Sequence, residues 1–182
     1  MKVYDIPEGT KTSKGRAIQN LLNIGSDDKV KAFVNVKRLG DADFVNSHYL
    51  MFCTKNGVVK KTRLEAYSRP RQNGVNAIVI REGDELLQVR MTNGNEEVLL
   101  ANRNGRAIRF NESAVREMCR MSAGVKGMTL DGGDDAVVGM ITMPFGTEKT
   151  VMVVSEQGYG KRSVLDDYRV TNRGGKGVKT IN

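Results

Sequence analysis

Short apolar runs broken by glycine turns, rather than stripes of helical period, set the pattern of this chain. Three such runs, at 49–53, 98–101 and 151–154, each lead into a turn built on Asn56-Gly57, Asn104-Gly105 or Gln157-Gly158. A basic, partly apolar run follows each turn, at 58–62, 106–110 and 159–163. Apolar run, glycine turn and second run, in that order, predict a β-hairpin. The turn glycines stand 48 and 53 residues apart, so the hairpin belongs to a repeated unit.

The remainder of each unit keeps the same register. Between 17 and 19 residues beyond each turn glycine, a Gly-Val pair opens a further strand, at Gly74-Val75, Gly124-Val125 and Gly177-Val178. An acidic turn then precedes a fourth apolar run: Glu82, Gly83, Asp84 and Glu85 before 86–91, and Gly132, Gly133, Asp134 and Asp135 before 137–143. Asp27 and Asp28 before 30–36 give a weaker third instance. Helix is confined to one expected turn within 111–118, capped by Asn111, whose side chain can accept from a free backbone amide.

Four short strands in a unit of about 50 residues predict an all-β fold, a propeller-like array of four-stranded blades that bury their faces against one another. The absence of a 3.6-residue period excludes a solenoid of helix pairs. The run Val151, Met152, Val153 and Val154 reads as an inner strand buried on both faces. A β-sandwich, which also uses many short strands with regular turns, stays open at this level. The expected organisation is a single array over 1–182: a partial blade at 1–16, units at about 17–74, 75–124 and 125–177, and a partial strand at 178–182, about three full blades with partial ones at the ends. Because the chain starts and finishes inside a unit, it is expected to be a piece of a larger array whose terminal strands need partners elsewhere.

Length and cysteine usage narrow the setting. With 182 residues the chain can bury a substantial core without staples. Cys53 and Cys119 lie far apart, with no CxxC spacing and no histidine nearby, so neither a metal site nor a disulfide framework is expected and a reducing cytoplasm fits. No apolar segment follows Met1 and no run of about 18 apolar residues occurs, so neither a signal peptide nor a membrane span is expected.

Charge supplies the candidate chemistry. The 29 Lys and Arg against 21 Asp and Glu leave a formal charge of +8 and a pI near 9.6, which favours a polyanionic partner. The cations recur in phase with the repeat: Lys60, Lys61, Arg63, Arg69 and Arg71 in the first unit, Arg106, Arg109, Arg116 and Arg120 in the second, Lys161, Arg162, Arg169, Arg173 and Lys176 in the third. Lys11, Lys14 and Arg16 precede them in the opening partial unit. The acids gather at the turn before the fourth strand, so stacked units are expected to align their basic corners into a stripe that tracks a phosphate backbone. A solvated charged face is the plainer alternative. Aromatic residues are only 5 % and none alternates with the cations, which favours contact with a duplex backbone over stacking on unpaired bases.

The run Arg173-Gly174-Gly175-Lys176-Gly177 combines backbone amides free to approach phosphate oxygens with two charges. It is not a P-loop, because Lys179 stands where the motif requires glycine. An acid, base or nucleophile set is missing. His48 heads an apolar run and reads as a strand-edge residue; Asp134-Asp135 and Asp166-Asp167 read as turn and cap residues; Tyr67 and Tyr168 fall at equivalent positions, which argues for packing. No catalytic residue, cofactor, metal or small-molecule substrate is therefore expected.

Several stretches together carry a resemblance: KVYDIPEGTKTSKGRAIQNLL, NGVVKKTRLEAY, GRAIRFNESAVREM, GVKGM followed by GGDDAVVGM, and GYGKRSVLDDYR. Over essentially the whole chain they resemble the C-terminal domain of the DNA gyrase A protein. The resemblance implies a β-pinwheel, a six-bladed propeller variant in which neighbouring blades exchange strands and positively charged outer edges wrap duplex DNA. It further implies partnership with the rest of the gyrase A protein and, through it, with the gyrase B protein, whose ATP hydrolysis drives negative supercoiling, with no enzymatic activity in this domain itself. The equivalent domain of topoisomerase IV and a propeller used as a protein-interaction scaffold are the alternatives. The family's box, Gln-Arg/Lys-Arg-Gly-Gly-Arg/Lys-Gly, belongs to its first blade; here 171–177 matches only the last five positions and lies late in the chain.

Overall fold

The computed structural model describes residues 3–22, 24, 25, 27–71 and 74–181. Each apolar run pairs with the basic run that follows its glycine turn. β1 (Tyr49–Thr54) and β2 (Val58–Arg63) are antiparallel, with Phe52 opposite Lys60 and Cys53 opposite Val59. The pattern repeats in β4 (Glu96–Asn102) with β5 (Arg106–Asn111), and in β8 (Thr150–Val154) with β9 (Gly160–Val164). A fourth-strand run closes the other side of each of the first two hairpins. β3 (Leu86–Thr92) pairs with β1, and β7 (Val137–Pro144) with β4.

The short strands opened by the Gly-Val pairs do not join their own hairpins. β6 (Val125–Lys126) pairs with β2, and β10 (Val178–Lys179) pairs with β5. The sheet orders are therefore β3-β1-β2-β6 and β10-β5-β4-β7, each outermost strand coming from the following unit, beside a two-stranded β8-β9 sheet. That exchange defines a β-pinwheel and removes the sandwich alternative. It depends on glycine: Gly124 has φ 101°, and a Cβ there would sit 2.6 Å from the Val59 carbonyl, while at Gly177, with φ 75°, it would fall on the Ala107 carbonyl.

Period-two alternation in β4 and β5 divides the core. Val98, Leu100, Ile108 and Phe110 face the first sheet and pack with Met51, Cys53, Val59, Met128 and Met140. Leu99 and Ala107 face the other way, onto Met143, Leu165 and Tyr168. The central hairpin is thus buried on both faces, each large apolar side chain contributing about 1.5–3 kcal/mol before conformational entropy opposes it.

Three expectations need correction. Residues 30–36 form no ladder: a fourth strand pairs with its own unit's first strand, and among the described residues 30–36 has none. Gly74-Val75 likewise opens no strand, since the outer edge its equivalents occupy has no counterpart in the described opening segment. β8 is not buried on both faces; its burial alternates and Met152 is 69 % exposed, because nothing among the described residues lies across its outer face. A short helix that the hydrophobic pattern did not single out, α1 (Ala42–Ser47), is capped by Asp41, which accepts from the Phe44 amide at 3.1 Å. Asn111 caps the 3-10 turn Glu112–Ala114 as expected, accepting from the Ser113 amide at 2.8 Å. Asn182 lies outside the described residues. Among the described residues no helix is long and apolar enough to cross a membrane.

Candidate nucleic-acid interface

The seventeen cations named from the sequence fall into three environments. Lys60, Lys61 and Arg109 are only 0 %, 7 % and 8 % exposed, which takes them out of the expected stripe. The register explains this, because their strand is overlaid by the following unit. Lys60 extends across the Phe52 ring and donates to the carbonyls of Ala77 and Arg120. Burial is the main reason its ammonium is pulled down to about 8. Lys61 Nζ donates to the Glu112 carbonyl at 3.0 Å and lies 4.0 Å from that residue's carboxylate. In this dry joint burial pushes Lys61 down and Glu112 up. Arg109 Nε donates to Glu97 Oε2 at 3.0 Å, and its Nη1 to the carbonyls of Leu165 and Tyr168 at 3.0 and 3.2 Å.

A second set is tied down at the surface. Arg63 makes a two-point contact with Glu117 at 2.9 and 2.7 Å, which raises the guanidinium and lowers the carboxylate. Arg173 spends its guanidinium on the carbonyls of Ala114 and Lys126, at 2.8 and 2.9 Å. Arg106 and Lys176 share Asp131, at 3.3 and 2.8 Å. Glu85 holds Lys31 and Lys55 at 2.8 and 3.0 Å, and those contacts draw its carboxyl down to about 2. The expected separation of acids from bases is therefore incomplete, as Glu117 and Asp131 sit among the cations.

The third set faces solvent. Arg69, Arg71, Arg116, Arg169, Lys161 and Arg162 are exposed on the array, as are Lys11, Lys14 and Arg16 on an irregular segment outside any sheet. Arg71 and the half-buried Arg120, from successive units, line one open groove with Gly74, Val75 and Asn76. Arg169 and Lys176 line a second with Thr171 and Asn172. The fold adds two cations that the charge clusters of the sequence did not single out, Lys126 on β6 and Lys179 on β10, both exposed on the outermost strands. The signal for them was present, since each directly follows a Gly-Val pair. Arg116 and Arg169, Arg120 and Arg173, and Lys126 and Lys179 are three pairs separated by the same 53 residues, so the outer edge presents one cation pattern twice.

The residues considered as alternatives to binding take structural places. His48 stacks on Phe44 at 3.8 Å and its Nδ1 lies 2.9 Å from the Phe44 carbonyl. Tyr168 is buried in the core, and Tyr67 donates to the Ala77 carbonyl at 3.0 Å. Asp135 accepts from the amides of Asn104 and Asp131 and from the Asn102 side chain. Cys53 is buried, its thiol pushed up to about 12, and Cys119 is exposed; both are free.

An exchanged-strand array of this kind, with a repeating cationic outer edge, is a β-pinwheel of the propeller class. The profile of the family described as DNA gyrase C-terminal domain, beta-propeller, matches residues 1–37, 48–93, 96–142 and 149–182, and the chain belongs to that family. It is 43% identical over 180 residues to the DNA gyrase A protein of Staphylococcus epidermidis, covering 99% of this chain and 20% of that protein, and equally identical to its counterpart in Staphylococcus aureus. The chain thus spans about a fifth of the length of those relatives. Among solved structures it is similar to the C-terminal domain of DNA topoisomerase IV, with TM-score 0.83, 29% identity and coverage of 97% of this chain and 53% of that one. It is also similar to the DNA gyrase A C-terminal domain, with TM-score 0.78, 25% identity and coverage of 98% and 54%.

Proposed function

We propose that this chain is a non-enzymatic module of a cytoplasmic gyrase that binds and wraps duplex DNA with little regard to sequence. The observation that carries the proposal is the twice-repeated pair of exposed edge cations, Arg116 and Lys126 with Arg169 and Lys179, joined by exposed Arg69, Arg71, Lys161 and Arg162. Cations that recur with the unit meet phosphates spaced along one duplex, and each contact releases condensed counterions. Bending a site of 20–30 bp costs of order 1–6 kcal/mol, offset by phosphate contacts that a straight duplex would not reach. Flexible arginine and lysine ends that touch phosphate rather than base edges fix position without reading sequence. In the intact enzyme the wrapped segment would be delivered to the rest of the gyrase A protein, with the gyrase B protein supplying ATP hydrolysis for negative supercoiling.

Topoisomerase IV offers a second reading, favoured by the TM-score of 0.83 to its C-terminal domain. Both readings share the DNA-binding edge. Titrating two unrelated duplexes at several salt concentrations tests it: log affinity is expected to fall linearly with log salt, by about 0.9 per phosphate contacted, equally for both sequences. A flat dependence, or binding confined to one sequence, overturns the proposal.

A further inference from the structure

Two buried cation contacts between units occupy the same place in the repeat. Lys61 and Arg109 are 48 residues apart, as are the turn glycines Gly57 and Gly105, so each is the same residue of its outer strand. Each lies against the next unit in the same way. Lys61 pairs in parallel with Glu117, its carbonyl accepts from the Met118 amide at 2.8 Å, and its ammonium reaches the Glu112 carbonyl. Arg109 pairs in parallel with Val170, its carbonyl accepts from the Thr171 amide at 2.8 Å, and its guanidinium reaches the Leu165 and Tyr168 carbonyls. Glu112 and Leu165 both begin the 3-10 turn of the following unit. A charged group buried against the carbonyls of a turn is a stiff contact, because moving it leaves either the charge or the carbonyls unpaired.

Resting on the DNA-binding reading above, we propose that Lys61 and Arg109 are positioning residues that set the angle between successive units, and thereby the curvature imposed on a bound duplex, without touching it. Their charge acts inward, on the 3-10 turns that carry Arg116 and Arg169 just beyond them into the outer edge. The recurrence of a basic residue at this position is then explained by the joint rather than by phosphate. Arg109 uses both ends of its fork, Glu97 on its own hairpin and two carbonyls on the next, whereas Lys61 has a single ammonium. A lysine at 109 can satisfy one side of that joint but not both.

The test separates affinity from curvature. A duplex of about 40 bp carrying fluorophores at its two ends is titrated with the full chain, following both binding and end-to-end energy transfer. The chains compared are wild type, Lys61→Met, Arg109→Lys and Lys61→Arg, each checked for folding by circular dichroism. Lys61→Met and Arg109→Lys are expected to bind within about twofold of wild type while losing roughly half of the transfer gained on binding, and Lys61→Arg to retain it. Should Lys61→Met fail to fold, Arg109→Lys, which keeps a cation opposite Glu97, carries the comparison. Equal transfer for wild type and Arg109→Lys at equal affinity overturns the positioning role. Absence of duplex binding by the wild-type chain instead sinks the function proposed above.

Discussion

The Asp131 carboxylate lies 2.8 Å from the Lys176 ammonium, and the same carboxylate reaches Arg106 at 3.3 Å. Asp131 is held below its ordinary range first by the hydrogen bond from Lys176. This clasp ties the loop before β7 to the glycine-rich run before β10, and it occupies two cations that border the outer edge. A phosphate approaching Lys176 must compete with it.

Removing that competitor should tighten binding. Asp131→Asn is expected to raise duplex affinity about two- to fivefold at moderate salt and to steepen the log-log salt slope by up to about two contacts. Surface ion pairs contribute only about 0–1 kcal/mol, so the melting temperature should barely move. Fluorescence anisotropy on one duplex over a salt series checks this; an unchanged slope would show that neither cation reaches DNA.

Strand exchange is the feature most exposed to a single methyl group. Gly177→Ala combines a left-handed φ of 75° with a Cβ placed on the Ala107 carbonyl, so β10 cannot stay against β5. A loss of about 2–4 kcal/mol is expected from strain and lost ladder pairing, with Gly124→Ala similar at the β2-β6 edge. Gly132→Ala, where open space surrounds a φ of 89°, should cost less because only the backbone conformation is penalised. Urea unfolding of the three variants ranks them; equal cost at Gly132 and Gly177 would deny that close approach matters.

Hairpins, turns, period and family were legible because each rests on local chemistry: apolar runs, turn glycines and a regular offset. The sheet partner of the Gly-Val strands was not, since a two-residue strand carries no sign of which edge it joins, and only the fold shows Val125 opposite Val59 and Val178 opposite Ala107. The cationic edge was half legible. Charge and recurrence look the same for Lys61 as for Arg116, yet one is buried under the next unit and the other is exposed. Residue type alone cannot separate a lysine that caps carbonyls from one that meets phosphate.

Lys60 makes that distinction measurable. The unfolded chain keeps this proton up to the ordinary lysine value of 10.5, whereas the folded chain releases it at about 8. Between those values the unfolded state binds more protons, so this group makes stability rise as pH increases from about 8 toward 10.5, and its unfavourable effect is fully present below 8. Lys60→Met should abolish that rise and, by leaving the Arg120 carbonyl unpaired while Tyr67 still serves that of Ala77, cost about 1–3 kcal/mol at neutral pH. Urea midpoints of both chains from neutral to alkaline pH check the sign. Reversing charge at Lys60 should accordingly unfold the joint instead of weakening DNA contact.

Wrapping of a bound duplex is the central claim, and plasmid topology reports it most directly. The chain is bound to nicked plasmid, the nick is sealed with ligase, protein is removed, and the linking-number distribution is resolved on a gel. A shift of constant sign that grows with bound protein and vanishes at high salt is the predicted result. A distribution centred where it stands without protein, at concentrations that saturate the plasmid, would contradict it.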